Sequence, residues 1–176
     1  MARDRTFLYQ AEQQNLSGDA IIELFTINLS TAIGGGGATP IYFCNWEETN
    51  GSAVTFAGDN YVPIPYQSSG FAISNEGVLP NPQLTMSNVG LIPASLANQY
   101  KDLLGTQVIR TRVLAKHLDN GDDPDVNAKW PDETWFVQRK VAENKLFITW
   151  ELSTPFDLDG VTIPKRRAKF AANPLQ

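Results

Sequence analysis

Between Val54 and Asn88 the chain reads VTFAGDNYVPIPYQSSGFAISNEGVLPNPQLTMSN. Four short apolar-rich runs stand out: Val54–Phe56, Tyr61–Ile64, Phe71–Ile73 and Gln83–Ser87. The breaks between them, Ala57-Gly58-Asp59-Asn60, Gln67-Ser68-Ser69-Gly70 and Asn75-Glu76-Gly77, are turn chemistry. Short runs of this kind, punctuated by Gly, Asn, Asp and Pro, predict strands folded back on one another. Gly58 and Gly77 take positive φ at little cost, as tight reversals require. Pro63 and Pro65 cannot donate to a ladder, so the Tyr61 strand is expected at an edge or a barrel rim.

The flanking sequence extends the pattern. Arg5–Leu16 places Phe7, Leu8 and Ala11 on one stripe and predicts a short helix that needs docking to be stable. Ile21–Leu29 alternates apolar and polar positions as a strand does, and Ile41–Cys44 resumes β structure after the glycine run Gly34–Gly37. Pro93–Leu104 predicts a helix capped by Ser95, carrying Leu96, Tyr100, Leu103 and Leu104 on one stripe and stopped by Gly105. Gln107–Leu118 predicts a long strand with Ile109, Val113 and Ala115 on one face and Arg110, Arg112 and Lys116 on the other, the basic face being read as solvated. Trp135–Val141 and Leu146–Leu152 close as a hairpin, with Phe147 and Trp150 on opposite faces. The expected fold is mainly β, an antiparallel barrel-like domain over residues 21–163 with one or two short helices. A helical segment over 1–20 precedes it and a basic, irregular tail over 164–176 follows.

Length and charge narrow the function. The 176 residues suit one domain with a real core, and the 42% hydrophobic, 19% charged composition is globular. A net charge of −5 argues against general nucleic-acid binding, which wants a basic surface. One cysteine, Cys44, rules out an intrachain disulfide and is read as a buried hydrophobe. No signal-peptide core and no run near the ~20 apolar residues of a membrane span is visible, so a soluble protein kept inside a cell until assembly or release is expected.

Candidate chemistry is sparse. Gly34–Gly37 lacks the Lys-Ser/Thr of a phosphate loop and leads into a strand, so it reads as a hairpin tip. Asp119–Asp125 (DNGDDPD) places Pro124 and Trp130 where a calcium hand needs Gly and Glu, and reads as a solvated acidic loop. One histidine and one cysteine are too few for most zinc sites, and no Gly-x-Ser-x-Gly elbow accompanies His117. No catalytic role, cofactor or metal is expected. Trp46, Trp130 and Trp135, in or near predicted loops, support a second reading, a β-rich carbohydrate-binding module.

Ordered along the chain, Tyr42-Phe43-Cys44-Asn45, Val54-Thr55-Phe56-x-Gly58-x-x-Tyr61-x-Pro63-x-Pro65, Ser69-Gly70-Phe71, Leu84-Thr85-Met86-Ser87-Asn88, Gly105-x-x-Val108-x-Arg110, Leu118-Asp119, Leu152-Ser153-Thr154-Pro155 and Asp159-Gly160 resemble the minor tail protein L family of long-tailed phages. The resemblance implies a structural part of the tail tip or baseplate hub, a ring layer between the distal tail ring and the central receptor-facing hub or fibre protein. It also implies a homo-oligomer, a trimer by preference, located in the virion tail and in host cytoplasm during assembly. The family's cysteine-rich C-terminal region holds an iron–sulfur cluster. Four cysteine ligands are needed, so Cys44 alone cannot carry it. Loop-borne contacts are expected at Gly35, Gly36, Trp46, Arg110, Arg112, Asp122, Asp123, Trp130, Arg166 and Arg167. The Arg5–Leu16, Ser30–Pro40 and Asp119–Asp132 segments are expected to be ordered mainly by neighbouring subunits, with the acidic loop of one facing Arg110 or Arg112 of the next.

Overall fold

The computed structural model describes residues 18–34, 36–46, 53–71 and 80–154. The predicted Arg5–Leu16 helix, most of the Phe71–Ile73 run, Gly35 and the basic tail with Arg166 and Arg167 lie outside these residues. The described strands are β1 (Ile21–Asn28), β2 (Ile41–Cys44), β3 (Val54–Phe56), β4 (Asp59–Pro63), β5 (Tyr66–Ser69), β6 (Gln83–Ser87), β7 (Gln107–Leu114), β8 (Glu133–Glu143) and β9 (Phe147–Ser153). They form one sheet in the order β3-β4-β2-β1-β7-β8-β9-β6-β5. The mainly β expectation holds, with a single α-helix, α1 (Ile92–Gln99), among the described residues.

The sheet is built outward from β1 and β7, which pair antiparallel over eight residues from Ile21↔Leu114 to Asn28↔Gln107. β1 buries both of its faces. Phe25 and Ile27 join a core with Phe43, Leu84, Val108, Trp135, Ile148 and Trp150. Ile22 and Leu24 join a second core with Cys44, Val54, Phe56, Tyr61, Val113 and Leu118. Each large side chain so buried contributes roughly 1.5–3 kcal/mol.

Two details of the barrel-like, antiparallel expectation need correction. β2 pairs with β4 in parallel, Phe43↔Val62 and Cys44↔Pro63. The chain passes through β3 before turning back into β4, so β4 meets β2 running the same way. Nor is the sheet closed by a ladder. β4 and β5 stand at different places in the order, β5 at one extreme and β4 beside the other, although only Ile64-Pro65 separates them. The sheet therefore curls until the two residues bridge it. Ile64 N donates to the Cys44 carbonyl (2.9 Å), and the Pro65 carbonyl accepts from Ser87 N (2.8 Å). Pro63 and Pro65 have no N–H, so hydrogen-bonded closure cannot continue along this stretch. The Tyr61 strand, expected at an edge or a barrel rim, is β4, and it is not an edge strand. It lies between β3 and β2, and Pro63 falls beyond Tyr61, where pairing with β3 ends.

Other departures are local. Gln67-Ser68-Ser69, read as turn with Gly70, belongs with Tyr66 to strand β5; the Tyr66 ring packs edge-on against Phe25 (5.0 Å between centroids) and Phe43 (5.7 Å). Ser95 does not cap α1: its hydroxyl donates back to the Ile92 carbonyl (2.9 Å). Buried Asn88 serves the helix start instead, its Oδ1 accepting from Ala94 N (3.2 Å). The predicted strand to Leu118 stops at Leu114, followed by a 3-10 turn over Ala115–His117. No described helix is long and apolar enough to cross a membrane.

Candidate interaction surface

Arg110 and Arg112 lie on the same face of β7 as Val108, which turns toward the first core. The register sets Phe25 opposite Arg110 on one side and Glu133 opposite it on the other. Arg110 therefore reaches two carboxylates: Nη2 donates to Glu23, and Nη1 donates to Glu133 Oε2 (3.0 Å). Its guanidinium also sits 4.4 Å from the Phe71 ring centroid. Glu133 Oε1 accepts from Arg112 Nη2 (2.9 Å), and Arg112 lies over the Trp130 ring at 5.9 Å. Burial works against the charge of Arg110, but its bonds to Glu23 and Glu133 outweigh that and push its pKa above the ordinary arginine value. The solvated basic face is thus corrected. Alternation gave the right parity, but the cross-strand glutamates make this an internal ion network.

The acidic loop is also held from within, contrary to the expectation that neighbours order it. Asp119 accepts from Ala57 N (3.0 Å) and Gly58 N (2.9 Å), fastening the β3–β4 turn, where Gly58 has φ +81°. Asp119 N donates to the Thr55 carbonyl (3.1 Å), and Asp123 N to the Lys116 carbonyl (2.9 Å). His117, buried, donates from Nδ1 to the Asp123 carbonyl (2.8 Å). Gly121 permits this fold: a Cβ there would lie 2.3 Å from the Lys116 carbonyl oxygen. Asp122 and Asp123 nevertheless remain exposed.

Ser30–Pro40 connects the antiparallel β1 and β2 as predicted, with Gly36 exposed at its tip. Cys44 is buried, its Sγ 3.2 Å from the Trp46 carbonyl oxygen, and burial pushes its thiol pKa up. The three tryptophans of the sugar-binding reading do not share a platform. Trp46 is exposed, Trp130 is half-buried beside Arg112, and Trp135 lies in the core against Phe71 (5.3 Å). Trp135 belongs to β8 rather than to a loop, which removes the feature that reading rested on.

Comparison with known proteins places these features. The profile of a family described as phage minor tail protein L matches residues 31–172. The chain belongs to that family. The tail tip protein L of Escherichia phage lambda is 32% identical to it over 155 residues, 84% of this chain. The chain spans 64% of the length of that L-family relative.

The structure adds one surface that sequence reading missed. Val89 and Ile92, both exposed, line a groove of about 160 Å³ together with the Pro63–Pro65 link, Ser87, Gly90 and Pro93. The signal lay in Val89, Leu91 and Ile92, three apolar residues within four positions at the start of α1. Leu91 there adopts a left-handed backbone, φ 58°.

Proposed function

We propose that this chain is a structural component of a phage tail tip, working through contacts with other tail proteins rather than through catalysis. The observation that carries the reading is its similarity to the lambda tail tip protein, extending over most of this chain. Within the chain, Arg110 and Arg112 are matched by Glu23 and Glu133, and Lys140 by Asp102 and Glu143. In this reading the chain forms a ring layer, a homotrimer, between the distal tail ring and the central receptor-facing hub protein. It resides in the virion tail after assembly in host cytoplasm. Gly36, Trp46, Asp122 and Asp123, exposed on loops at the margins of the sheet, are the contact residues the reading assigns. Arg110 is bonded within its own chain, so the pairing of the acidic loop with a neighbour's Arg110 is dropped.

Purified particles carrying an epitope-tagged version of the chain provide the test. Electron microscopy should show the label at the distal end of the tail. A chain missing from purified particles, or a label distributed along the tube or on the head, refutes the reading.

A further inference from the structure

We propose that Lys101–Leu103 is a two-state element, held as a left-handed turn through Asp102 and able to rewind into a further right-handed turn of α1. Three consecutive residues there, none of them glycine, have positive φ: Lys101 at 50°, Asp102 at 61° and Leu103 at 60°. A left-handed backbone drives each Cβ toward the following carbonyl oxygen, so residues other than glycine adopt it singly rather than in runs. Strain of this kind persists only where its surroundings over-determine it, and it gathers at switch regions. The local sequence points the other way. Ala97 to Leu104 reads ANQYKDLL, rich in good helix formers, with Gly105 following as a stop. The helix expected over Pro93–Leu104 nevertheless ends at Gln99, and Tyr100 leaves it at φ −114°. A helix carried on to Leu104 would align Leu96, Tyr100 and Leu103 on one stripe. All three already pack in or against the first core, so either hand gives Leu103 an apolar side to face.

Asp102 is the latch. Its carbonyl accepts from Nε1 of buried Trp150 (3.1 Å), and its carboxylate accepts from Lys140. Lys140 also donates to Glu143 (2.7 Å), so its ammonium keeps a partner when Asp102 leaves. That lowers the cost of release. The Lys140 and Asp102 side chains are 26% and 43% exposed, so water can take over the bonds they give up. Beyond the turn, Gly105 N donates to the Val137 carbonyl (2.8 Å) and fixes where the segment rejoins the sheet. The element is thus framed by α1 on one side and by β8 on the other. Asp102 also lines a groove of about 370 Å³ with Ser95, Asn98, Lys140 and Glu143. Rewinding withdraws one of the two carboxylates that grip Lys140, so the groove has two forms that differ in shape and in charge. Anything that binds one form better than the other shifts the balance between them.

Nuclear magnetic resonance relaxation dispersion on the full chain reads the exchange directly. Wild type should show a minor state confined to residues 101–105, with helical carbon shifts. Asp102→Ala removes the carboxylate and favours helix, and should raise that population about tenfold or more. Asp102→Asn keeps the side-chain shape, so it holds the test open if the alanine variant fails to fold; it should raise the population about threefold. Lys101→Gly, at an exposed position, accepts the left-handed backbone and disfavours helix, and should lower the population about fivefold. Flat dispersion at residues 101–105 in wild type and in the folded Asp102 variants overturns the proposal. So does a minor state whose shifts are not helical, or a Lys101→Gly protein that exchanges as wild type does.

Discussion

Replacing Arg110 with Met separates a half-buried ion network from a surface one. The substitution keeps an apolar stem near Phe71 but leaves Glu23 and Glu133 facing each other with only Arg112 between two carboxylates and solvent. Breaking a fully buried pair costs about 3–5 kcal/mol. Arg110 is 11% exposed, but Glu23 and Glu133 are 28% and 27% exposed, so solvent screens part of the loss. Discounting for that leaves ~2–3 kcal/mol, including up to ~1 kcal/mol of cation–π attraction to Phe71. The control is Arg139→Met, whose partner is Glu151 but whose side chain is 67% exposed; there the expected loss is ~0–1 kcal/mol. Urea unfolding followed by tryptophan fluorescence gives both values, with unchanged m reporting a stability change alone. Adding Glu23→Gln to Arg110→Met restores one carboxylate to one guanidinium and should recover about 1 kcal/mol. At ~1 M salt, where the Debye length is ~3 Å, the Arg139 effect should vanish and most of the Arg110 effect persist. Losses for the two single variants within about 0.5 kcal/mol of each other would refute the inference that β7 turns its arginines inward.

Three further outcomes follow. Asn88→Ala removes the acceptor for Ala94 N and the donor to the Asn144 carbonyl (2.8 Å), and should cost ~2–3 kcal/mol with faster exchange of the Ala94 amide; a loss under ~0.5 kcal/mol contradicts it. Burial, partly offset by a Thr26 hydroxyl, raises Tyr61 from 10.0 to about 12, and burial also raises Tyr66. Because the folded value lies above the unfolded one, this stabilisation is complete below pH 10 and is lost as pH rises toward 12. Absorbance at the phenolate band should show these two tyrosines ionising late and together with unfolding; early ionisation without unfolding contradicts burial. Deleting Gly34–Gly37, or separately converting Asp122 and Asp123 to Asn, should leave melting unchanged but reduce incorporation into tails. Fully infectious particles from both variants would make these loops spacers.

Much of the sheet was legible because alternation states which residues share a face. β1 and β7 were read from it, and β2, β3, β4, β6, β8 and β9 from short apolar runs between turn residues. What alternation omits is the identity of the neighbour. Arg110 and Arg112 looked solvated because Glu23 and Glu133, their partners, sit 87 and 21 residues away on other strands. β5 was missed because Gln67-Ser68-Ser69 has turn chemistry, and only Tyr66, packed against Phe25 and Phe43, anchors the strand from outside the local sequence. Ser95 is a reasonable local cap, but Asn88 reached the helix start from six residues before Ala94. The exposed groove was illegible for the same reason: its walls come from the Pro63–Pro65 link and from residues after β6, which only the curl brings together.

The Ile64-Pro65 link also divides the molecule. Everything before it supplies β3, β4, β2 and β1, a contiguous run of the sheet; everything after supplies β7, β8, β9, β6 and β5, the contiguous remainder. Their ladder contact is the eight-residue seam between β1 and β7. A gene split at this peptide bond should therefore yield two fragments that re-form the sheet when co-expressed, each incomplete in its core without the other. The covalent bridge would then govern how quickly and at what concentration the halves find each other, not which strands they pair.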